Sequence, residues 1–374
     1  MSKVSHTTAS PSVQSSKSVR FLKLLPIAAL LAAGAPQAWA TNCDSSSGWI
    51  CIGTGGGSRN TNVVVSTPLG LMSAAGGYSD AAGSINPTDN GEARYNILTI
   101  ENGGEANEAA GGWGAGSPSV AEENEVIVRE GGLVRNALGG RAFGGSAIKN
   151  KVFIDGGKVT GGVFGGEAHN GGAKDNRVTL AGATVDGEVW GGKCEPAPCD
   201  ATTGNTLAVQ GAPSTVKALV TSFDTLEFTL SASTQKGVPM LKVGDAPGTG
   251  DAIFPVASST TAPVTVTIKL DGATLAVGDT FTLIEAANKL EITPAPDATT
   301  AEYFKVTPQG NQLIAEVIKV PPLALTLGPT PYYYSGDSSS PTMGELGLLF
   351  SGLALAGVAA PALRRRERKE RKQD

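Results

Sequence analysis

The sequence predicts an all-β protein: a right-handed parallel β-helix with a β-rich C-terminal cap and one C-terminal transmembrane helix. Three observations lead to this prediction. A unit of 26 to 29 residues recurs through the middle of the chain, glycine supplies 50 of 374 residues, and a long uncharged run lies near the C-terminus. Glycine at this density argues against a helical repeat, because each interior glycine costs a helix about 1 kcal/mol.

Residues 1–40 are predicted to be a signal peptide. Lys17, Arg20 and Lys23 precede an apolar run over residues 24–33, which is too short to span a bilayer. Ala38 and Ala40 then provide the small residues expected at positions −3 and −1 of a cleavage site, so cleavage is expected between Ala40 and Thr41. The alternative, a buried N-terminal helix, leaves both the charge order and the small residues unexplained.

Four cysteines form two close pairs, Cys43 with Cys51 and Cys194 with Cys199. A zinc site is the competing interpretation, but the spacing within each pair and the lack of a nearby histidine argue against it. Two local disulfides in an oxidising compartment are therefore predicted. The first would belong to an N-terminal cap over residues 41–61.

The repeat occupies residues 62–205, and five of its units begin with an asparagine. Apolar residues at positions +2 and +4 after each asparagine predict a short, half-buried strand. These asparagines are Asn96, Asn124, Asn150, Asn176 and Asn205. A pair of glycines follows at +15 and +16 in four successive units: Gly111-Gly112, Gly139-Gly140, Gly165-Gly166 and Gly191-Gly192. So short a strand cannot bury its own apolar face, and the units are expected to stack.

The repeated residue types suggest their roles in the stack. The asparagines are expected to align between turns and to hydrogen-bond their amides along the stack. The glycine pairs are expected to mark the bends, where glycine supplies positive φ and permits close backbone approach. A disordered glycine-rich linker is the alternative, but a linker keeps its composition and not its phase.

The remaining chain divides by composition. Residues 206–320 contain alternating apolar residues and are predicted to form further β coils or a β-rich cap that protects the end of the stack. Residues 321–342 are rich in proline, serine and tyrosine and are predicted to form an extended stalk.

Residues 343–374 are predicted to contain a sorting signal, a transmembrane helix and a basic tail. The run over residues 346–363 is 18 residues long and uncharged, about 27 Å as a helix. Arg364, Arg365 and Arg366 follow at once. Such a cluster stays in the cytoplasm, so the preceding domain is expected to face outward. A buried terminal helix is less suitable, because the run has no polar face.

The motif before this run contains Pro341, Thr342, Met343 and Glu345. With the apolar run and the arginine cluster, it resembles the C-terminal sorting signal of Gram-negative bacteria named after its Ile-Pro-Thr-Leu motif. Met343 replaces the usual leucine, and Leu346 stands where a tryptophan is usual. The resemblance implies an exosortase-like processing protease as a partner, removal of the tail and transfer to the cell surface.

The repeats also resemble a known family. Residues 150–157, followed by residues 159–166, are similar to the repeats of bacterial autotransporter passenger domains. The resemblance extends over roughly residues 62–285, and it implies the β-helical fold without a catalytic signature.

Charge and chemistry exclude several functions. Residues 41–344 hold 30 acidic and 18 basic residues, which argues against nucleic-acid binding. After signal removal His169 is the one remaining histidine, so a histidine-based catalytic arrangement is not indicated. Acidic residues on adjacent units share no register and predict no carboxylate pair; they are Asp155, Glu167, Asp175, Asp186 and Glu188. No catalytic residue, metal ligand or cofactor is predicted.

These observations predict a non-enzymatic protein of a Gram-negative bacterium. It would be exported, anchored in the inner membrane as a precursor, and then carried to the envelope or cell surface, where a β-helical stalk serves adhesion or envelope interaction with a surface or glycan ligand. One alternative is a secreted polysaccharide-cleaving enzyme, which needs two carboxylates about 5 to 9 Å apart. Another is a scaffold in an envelope assembly that adds strands laterally. A featureless lateral surface would favour the stalk.

Overall fold

The structure is a computed structural model of the 374-residue chain. It describes residues 41–44, 49–51, 58–59, 61–69, 73–80, 91–115, 118–196, 199–245, 249–254 and 263–321. The predicted signal peptide, the stalk beyond residue 321, the sorting motif, the apolar run and the arginine cluster lie outside these residues. Within them, no helix has the length and apolar character needed to cross a membrane.

The described residues form a parallel β-solenoid, which confirms the predicted all-β class and the stacked repeat. The N-terminal strands are β1 Thr41–Asp44, β2 Trp49–Cys51, β3 Ser58–Arg59, β4 Asn62–Val65 and β5 Ser73–Asp80. The asparagine repeats contain β6 Glu92–Arg94, β7 Ile97–Ile100, β8 Glu105–Ala115, β9 Val120–Glu122, β10 Glu125–Arg129, β11 Leu133–Ala142, β12 Ala147–Ile148, β13 Lys151–Asp155, β14 Lys158–Val159, β15 Val163–His169, β16 Ala173–Lys174, β17 Arg177–Ala181, β18 Thr184–Val185 and β19 Val189–Glu195.

The C-terminal part continues with strands and one short helix. These elements are β20 Thr206–Gln210, β21 Ser214–Val216, β22 Leu219–Thr221, β23 Thr225–Ser231, β24 Leu241–Val243, β25 Asp251–Ile253, β26 Val264–Asp271, β27 Thr280–Ala286, β28 Lys289–Glu291, β29 Pro294–Pro296, α1 Ala298–Tyr303, β30 Phe304–Gln309 and β31 Gln312–Val317.

The short strand after each asparagine pairs in parallel with its equivalent in the next coil, one coil being one turn of the solenoid. Nine such strands, from β4 to β29, form one sheet. Leu98, Val126, Val152 and Val178 occupy the same register. Each is at most 1% exposed. The predicted apolar strands therefore stack directly on one another.

Two further sheets complete each coil of the repeat region. Long strands such as β8 and β11 belong to a 17-stranded sheet, and the short strands β3, β6, β9, β12 and β16 form a five-stranded sheet. The main apolar core contains the nine-stranded sheet's inward residues. A second, smaller core consists of Ala147, Ala168 and Ala173, with Cys194 packed against it. We call this second core the alanine compartment.

The asparagines form a continuous hydrogen-bonded ladder, as predicted. Asn96, Asn124, Asn150, Asn176 and Asn205 are all 0% exposed. Along the series, each Nδ2 donates to the Oδ1 of the next asparagine at 2.9 to 3.2 Å. The same Oδ1 accepts the backbone N–H of the preceding asparagine at 2.9 to 3.1 Å. Nδ2 also donates to an alanine carbonyl, so the buried amides are satisfied.

The glycine pairs do not mark the bends, contrary to the prediction. They lie inside β8, β11, β15 and β19, and none has a positive φ. They face the asparagine ladder instead: a Cβ on Gly140 would lie 2.5 Å from Oδ1 of Asn150, and one on Gly139 would overlap the carbonyl oxygen of Gly165. We call this narrow place, where a glycine pair meets an asparagine, the waist. Glycine is required there because no side chain fits.

The bends with positive φ fall at two other positions in each coil. One is a glycine after the strand of the nine-stranded sheet: Gly103, Gly131, Gly156, Gly182 and Gly211, with φ between 60° and 83°. The other is the residue before each ladder asparagine: Tyr95, Glu123, Lys149, Asp175 and Gly204, with φ between 55° and 72°.

The C-terminal end of the stack is closed by a different arrangement. The last strand of the nine-stranded sheet, β29, carries Pro294 and Pro296, and proline limits further pairing at a sheet edge. The hairpin of β30 and β31 packs antiparallel along β27. Helix α1 lies between these elements, and Asp297 caps it by accepting the N–H of Thr300 at 2.7 Å.

Candidate functional site

One lateral face of the 17-stranded sheet concentrates ring-bearing side chains. Beyond the waist, β8, β11, β15 and β19 alternate between inward glycine or alanine and outward larger residues, as in Arg141 beside buried Ala142. Equivalent positions pair across coils, so Arg141 lies between Trp113 and Glu167. We call the outward surface on both sides of the waist the aromatic face. Trp113, Phe143 and His169 lie beyond the glycine pair of their coil, and Phe164 and Trp190 lie directly before it.

Three of these rings stack along the solenoid. The centroids of Trp113 and Phe143 are 5.3 Å apart with planes inclined by 25°, and those of Phe143 and His169 are 5.0 Å apart with planes inclined by 5°. Each ring comes from a different coil. Such pairs contribute about 0.5 to 1.5 kcal/mol beyond area burial. Since the stacked faces cover each other, this part of the aromatic face presents mainly ring edges.

Arg141 links the stack to carboxylates on two other coils. Its guanidinium carbon lies 4.9 Å from the centroids of both Trp113 and Phe143. Its Nε is 3.3 Å from Oε2 of Glu167, and its Nη1 is 3.6 Å from Oε2 of Glu108. The guanidinium therefore joins three coils and is neutralised by the carboxylates beside it.

Phe164 and Trp190 occupy the next part of the aromatic face and pair with each other between β15 and β19. The ring of Phe164 lies along its own strand, over Gly162. A Cβ on Gly162 would lie 2.6 Å from the Cε2 and Cζ atoms of this ring. Nζ of Lys193 lies 5.5 Å from the Phe164 centroid. Trp190 donates its Nε1–H to Oε2 of Glu188 at 2.6 Å, which fixes the indole.

A second surface follows the glycine bends after the nine-stranded sheet. A groove of about 740 Å³ runs there past Glu101, Arg129, Glu130 and Asp155 and along the small residues of the later coils. We call it the turn groove. Its carboxylates come from three successive coils. Arg129 Nη1 contacts Oε1 of Glu101 at 3.1 Å, so one of the three is already paired.

The acidic residues singled out in the sequence are distributed over several surroundings. Glu167 contacts Arg141, Glu188 accepts from Trp190, and Asp155 lines the turn groove. Asp186 lies 2.9 Å from Nζ of Lys217, whose hydrogen bond lowers the pKa of the aspartate. Among the described residues, no group of three or more His, Cys, Asp or Glu could hold a metal ion.

The second cysteine pair is joined. Cys194 and Cys199 form a disulfide with their Cα atoms 6.3 Å apart. It borders a groove of about 530 Å³ that includes Lys174 and Asp200. Burial opposes ionisation of Asp200, but backbone hydrogen bonds from Thr203 and Thr202 lower its pKa on balance.

The first cysteine pair lies on strands that pair antiparallel, β1 and β2. Cys51 is opposite Thr41, and Cys43 lies where the register shifts. The sulfur atoms of Cys43 and Cys51 lie outside the described side chains, so their disulfide stays a prediction.

Sequence reasoning did not identify the aromatic face, although the signal was present. Phe143 and His169 each follow a ladder asparagine by 19 residues, and Phe164 and Trp190 each follow one by 14 residues. Residues at a constant distance from the ladder share a register. A search for aromatic residues at repeated positions would therefore have placed Phe143 beside His169 and Phe164 beside Trp190 on neighbouring coils.

Comparison of the chain with known proteins identifies no relative. Neither protein-family models, nor curated proteins, nor solved structures give a match to the chain.

Proposed function

We propose that this chain is an exported surface protein of a Gram-negative bacterium, and that its right-handed β-solenoid is a non-enzymatic stalk for adhesion or envelope interaction. The lateral surface is not featureless, contrary to the simple expectation for a stalk, and its aromatic face is the observation that carries the proposal. Tryptophan and arginine dominate binding hot spots, and clustered apolar side chains on a surface mark interaction sites. Trp113, Arg141, Phe143 and Trp190 are gathered within a stretch of four successive coils, on three of them, in a chain with only 20 aromatic residues.

The route to the surface rests on the two ends of the chain. Cleavage after Ala40 would release the N-terminus, and a helix over residues 346–363 would hold the precursor in the inner membrane. An exosortase-like protease would then cut near Pro341 and pass the product outward. The Cys194–Cys199 disulfide supports a location in an oxidising compartment.

Mass spectrometry of the protein from fractionated cells tests this route. The mature chain should begin at Thr41 and end near Pro341, and protease added to intact cells should digest it. Replacing Pro341 and Thr342 with alanine should leave the precursor in the membrane fraction, while the same change at Ser338 and Ser339 should not. A surface-exposed product that still contains Arg364 would exclude the sorting step.

Attachment tests the role of the stalk. Cells carrying Trp113→Ala with Trp190→Ala should display normal amounts of the protein but attach poorly to their natural surface or to each other. Cells carrying Phe153→Ala, on the outer side of the nine-stranded sheet, should attach normally. Unchanged attachment by the double variant would exclude the aromatic face as the adhesive surface.

A secreted polysaccharide-cleaving enzyme is the second candidate, and the turn groove is the observation that favours it. Glu130 and Asp155 line that groove on successive coils, as a carboxylate pair for glycoside hydrolysis would require. If the purified protein releases reducing ends from a polysaccharide, Glu130→Gln and Asp155→Asn should each abolish the release, while Glu188→Gln should not. If Glu130→Gln and Asp155→Asn both keep full activity, the groove is not the active site.

A further inference from the structure

We infer that the ligand of the aromatic face is a neutral, extended polysaccharide that lies along the solenoid axis. The inference rests on the proposed surface role and adds the chemical class of the ligand. The inference follows from three features: the ion pairs on the aromatic face, the orientation of the aromatic rings and the spacing of the coils.

The charges on the aromatic face are already engaged with one another. Arg141 is held by Glu108 and Glu167. Lys193 lies 3.8 Å from Glu195, and it also faces the Phe164 ring. A polyanion would need unpaired cations here, and it would be repelled by the acidic body of the protein. The face therefore suits a ligand without net charge.

The rings offer apolar contact next to hydrogen-bonding groups. Phe164 reclines over Gly162, and Trp190 is fixed beside it by the Glu188 carboxylate. A sugar ring has an apolar C–H surface bordered by hydroxyl groups. Its C–H bonds can pack against Phe164 and Trp190 by dispersion and quadrupole attraction, while its hydroxyls donate to carboxylates such as Glu188. A neutral carbohydrate thus matches both kinds of group.

The coil spacing suits an extended polysaccharide better than a single sugar. Successive coils are separated by the distance between paired strands, about 4.8 Å. This is close to the length of one unit in an extended β-1,4-linked chain. Trp113, Arg141, Glu167 and Lys193 share one register on four successive coils, and Phe164 and Trp190 share a second register on two of them. Neighbouring sugar units would therefore meet equivalent positions on neighbouring coils. Affinity should consequently rise with chain length up to about four units.

Calorimetric titration of the purified mature protein with β-1,4-linked gluco-oligosaccharides of two to six units tests the inference. We expect binding that strengthens from the dimer to the tetramer and then levels off. Trp190→Ala should weaken binding of the hexamer about ten-fold, while Phe153→Ala on another face leaves it unchanged. Gly162→Ala, whose Cβ displaces the Phe164 ring, should also weaken it.

Two outcomes would overturn the inference. One is equal binding by the Trp190→Ala and Phe153→Ala variants when both show the circular dichroism spectrum of the original protein. The other is binding to polygalacturonate and to no neutral oligosaccharide, which would assign an anionic ligand. Trp190→Phe controls for misfolding: it keeps an aromatic ring at this position and should therefore retain most of the affinity. A protein that is surface-exposed but binds no neutral glycan would refute this ligand and leave the proposed location intact.

Discussion

Removing one rung of the asparagine ladder should destabilise the solenoid more than any surface change. Asn150 accepts the backbone N–H of Asn124 at 3.1 Å and its Nδ2 at 3.0 Å. It donates to the carbonyl of Ala121 at 2.9 Å and to Asn176 at 3.2 Å. Asn150→Ala removes all four bonds from a fully buried place and leaves the Asn124 N–H without its acceptor.

The size of the loss follows from these contacts. A buried group left without a partner costs about 1 to 3 kcal/mol, and each further lost bond costs about 1 kcal/mol. We therefore expect Asn150→Ala to lower the free energy of unfolding by about 4 kcal/mol, a large part of the stability of an ordinary domain.

Urea unfolding followed by circular dichroism measures this difference. Asn62→Ala is the matched control, because Asn62 is exposed on β4. It should change the unfolding free energy by less than about 0.5 kcal/mol. If Asn150→Ala is no more destabilising than Asn62→Ala, the ladder does not hold the coils together.

Asn150→Asp separates hydrogen bonding from packing. A carboxylate has nearly the same shape but cannot donate to Ala121 or Asn176, and burial should raise its pKa. The variant should therefore be unstable at pH 7 and regain stability as the pH falls, because the protonated form is neutral and can donate. Equal unfolding midpoints of this variant at pH 7 and pH 5 would contradict the explanation.

Three further predictions concern single side chains, and urea unfolding tests each. Gly140→Ala should cost about 1 to 3 kcal/mol or more, since its Cβ would lie 2.5 Å from Asn150. Burial opposes ionisation of Glu227, but hydrogen bonds from Arg177 and Lys269 hold its pKa at about 2, so its contribution is present above its ordinary pKa of 4.5 and lost as the pH falls toward 2. Glu227→Gln should remove at most about 3 kcal/mol at pH 7 and flatten the acid loss. Burial raises the pKa of Glu125, so the original protein should gain stability on acidification through that group, and Glu125→Gln should be slightly stabilising at pH 7.

The stacking could be predicted from the sequence because strands in register place apolar residues at the same position of every repeat. A short parallel strand must place its apolar residues above those of the preceding coil, and Leu98, Val126 and Val152 show this at a fixed distance from their asparagines. The ladder could be predicted for the same reason. A buried amide at a constant position needs a partner, and the nearest one is its own copy.

The role of the glycine pairs could not be predicted in the same way. Glycine is required both where φ is positive and where a Cβ would collide, and the sequence does not distinguish these causes. Here the collision decides, because Gly139 and Gly140 face Asn150 from inside a strand. The bends before the asparagines could not be predicted from the sequence, because most of their residues, such as Lys149, adopt positive φ without being glycine.

The waist also explains where three rings of the aromatic face lie. Trp113, Phe143 and His169 lie beyond the glycine pair, in or directly after the second half of a long strand. In β15 this half contributes Ala168 to the alanine compartment. The strand can continue past the pair only because glycine lets the asparagine ladder cross the coil. After Asn205 this arrangement stops: Phe223 is fully buried, a Cβ on Gly191 would lie 2.8 Å from its Cδ1, and the five-stranded sheet ends at β16.

From that point the coils keep the main core and lose the second half of the long strand. In the ladder's place, Asp224 accepts the N–H of Gly204 at 2.7 Å, and β21 and β22 are only three residues long. The surface available for outward side chains narrows accordingly. The ladder thus does more than stabilise the stack: by widening the coils it creates the part of the aromatic face on which Trp113, Phe143 and His169 are displayed.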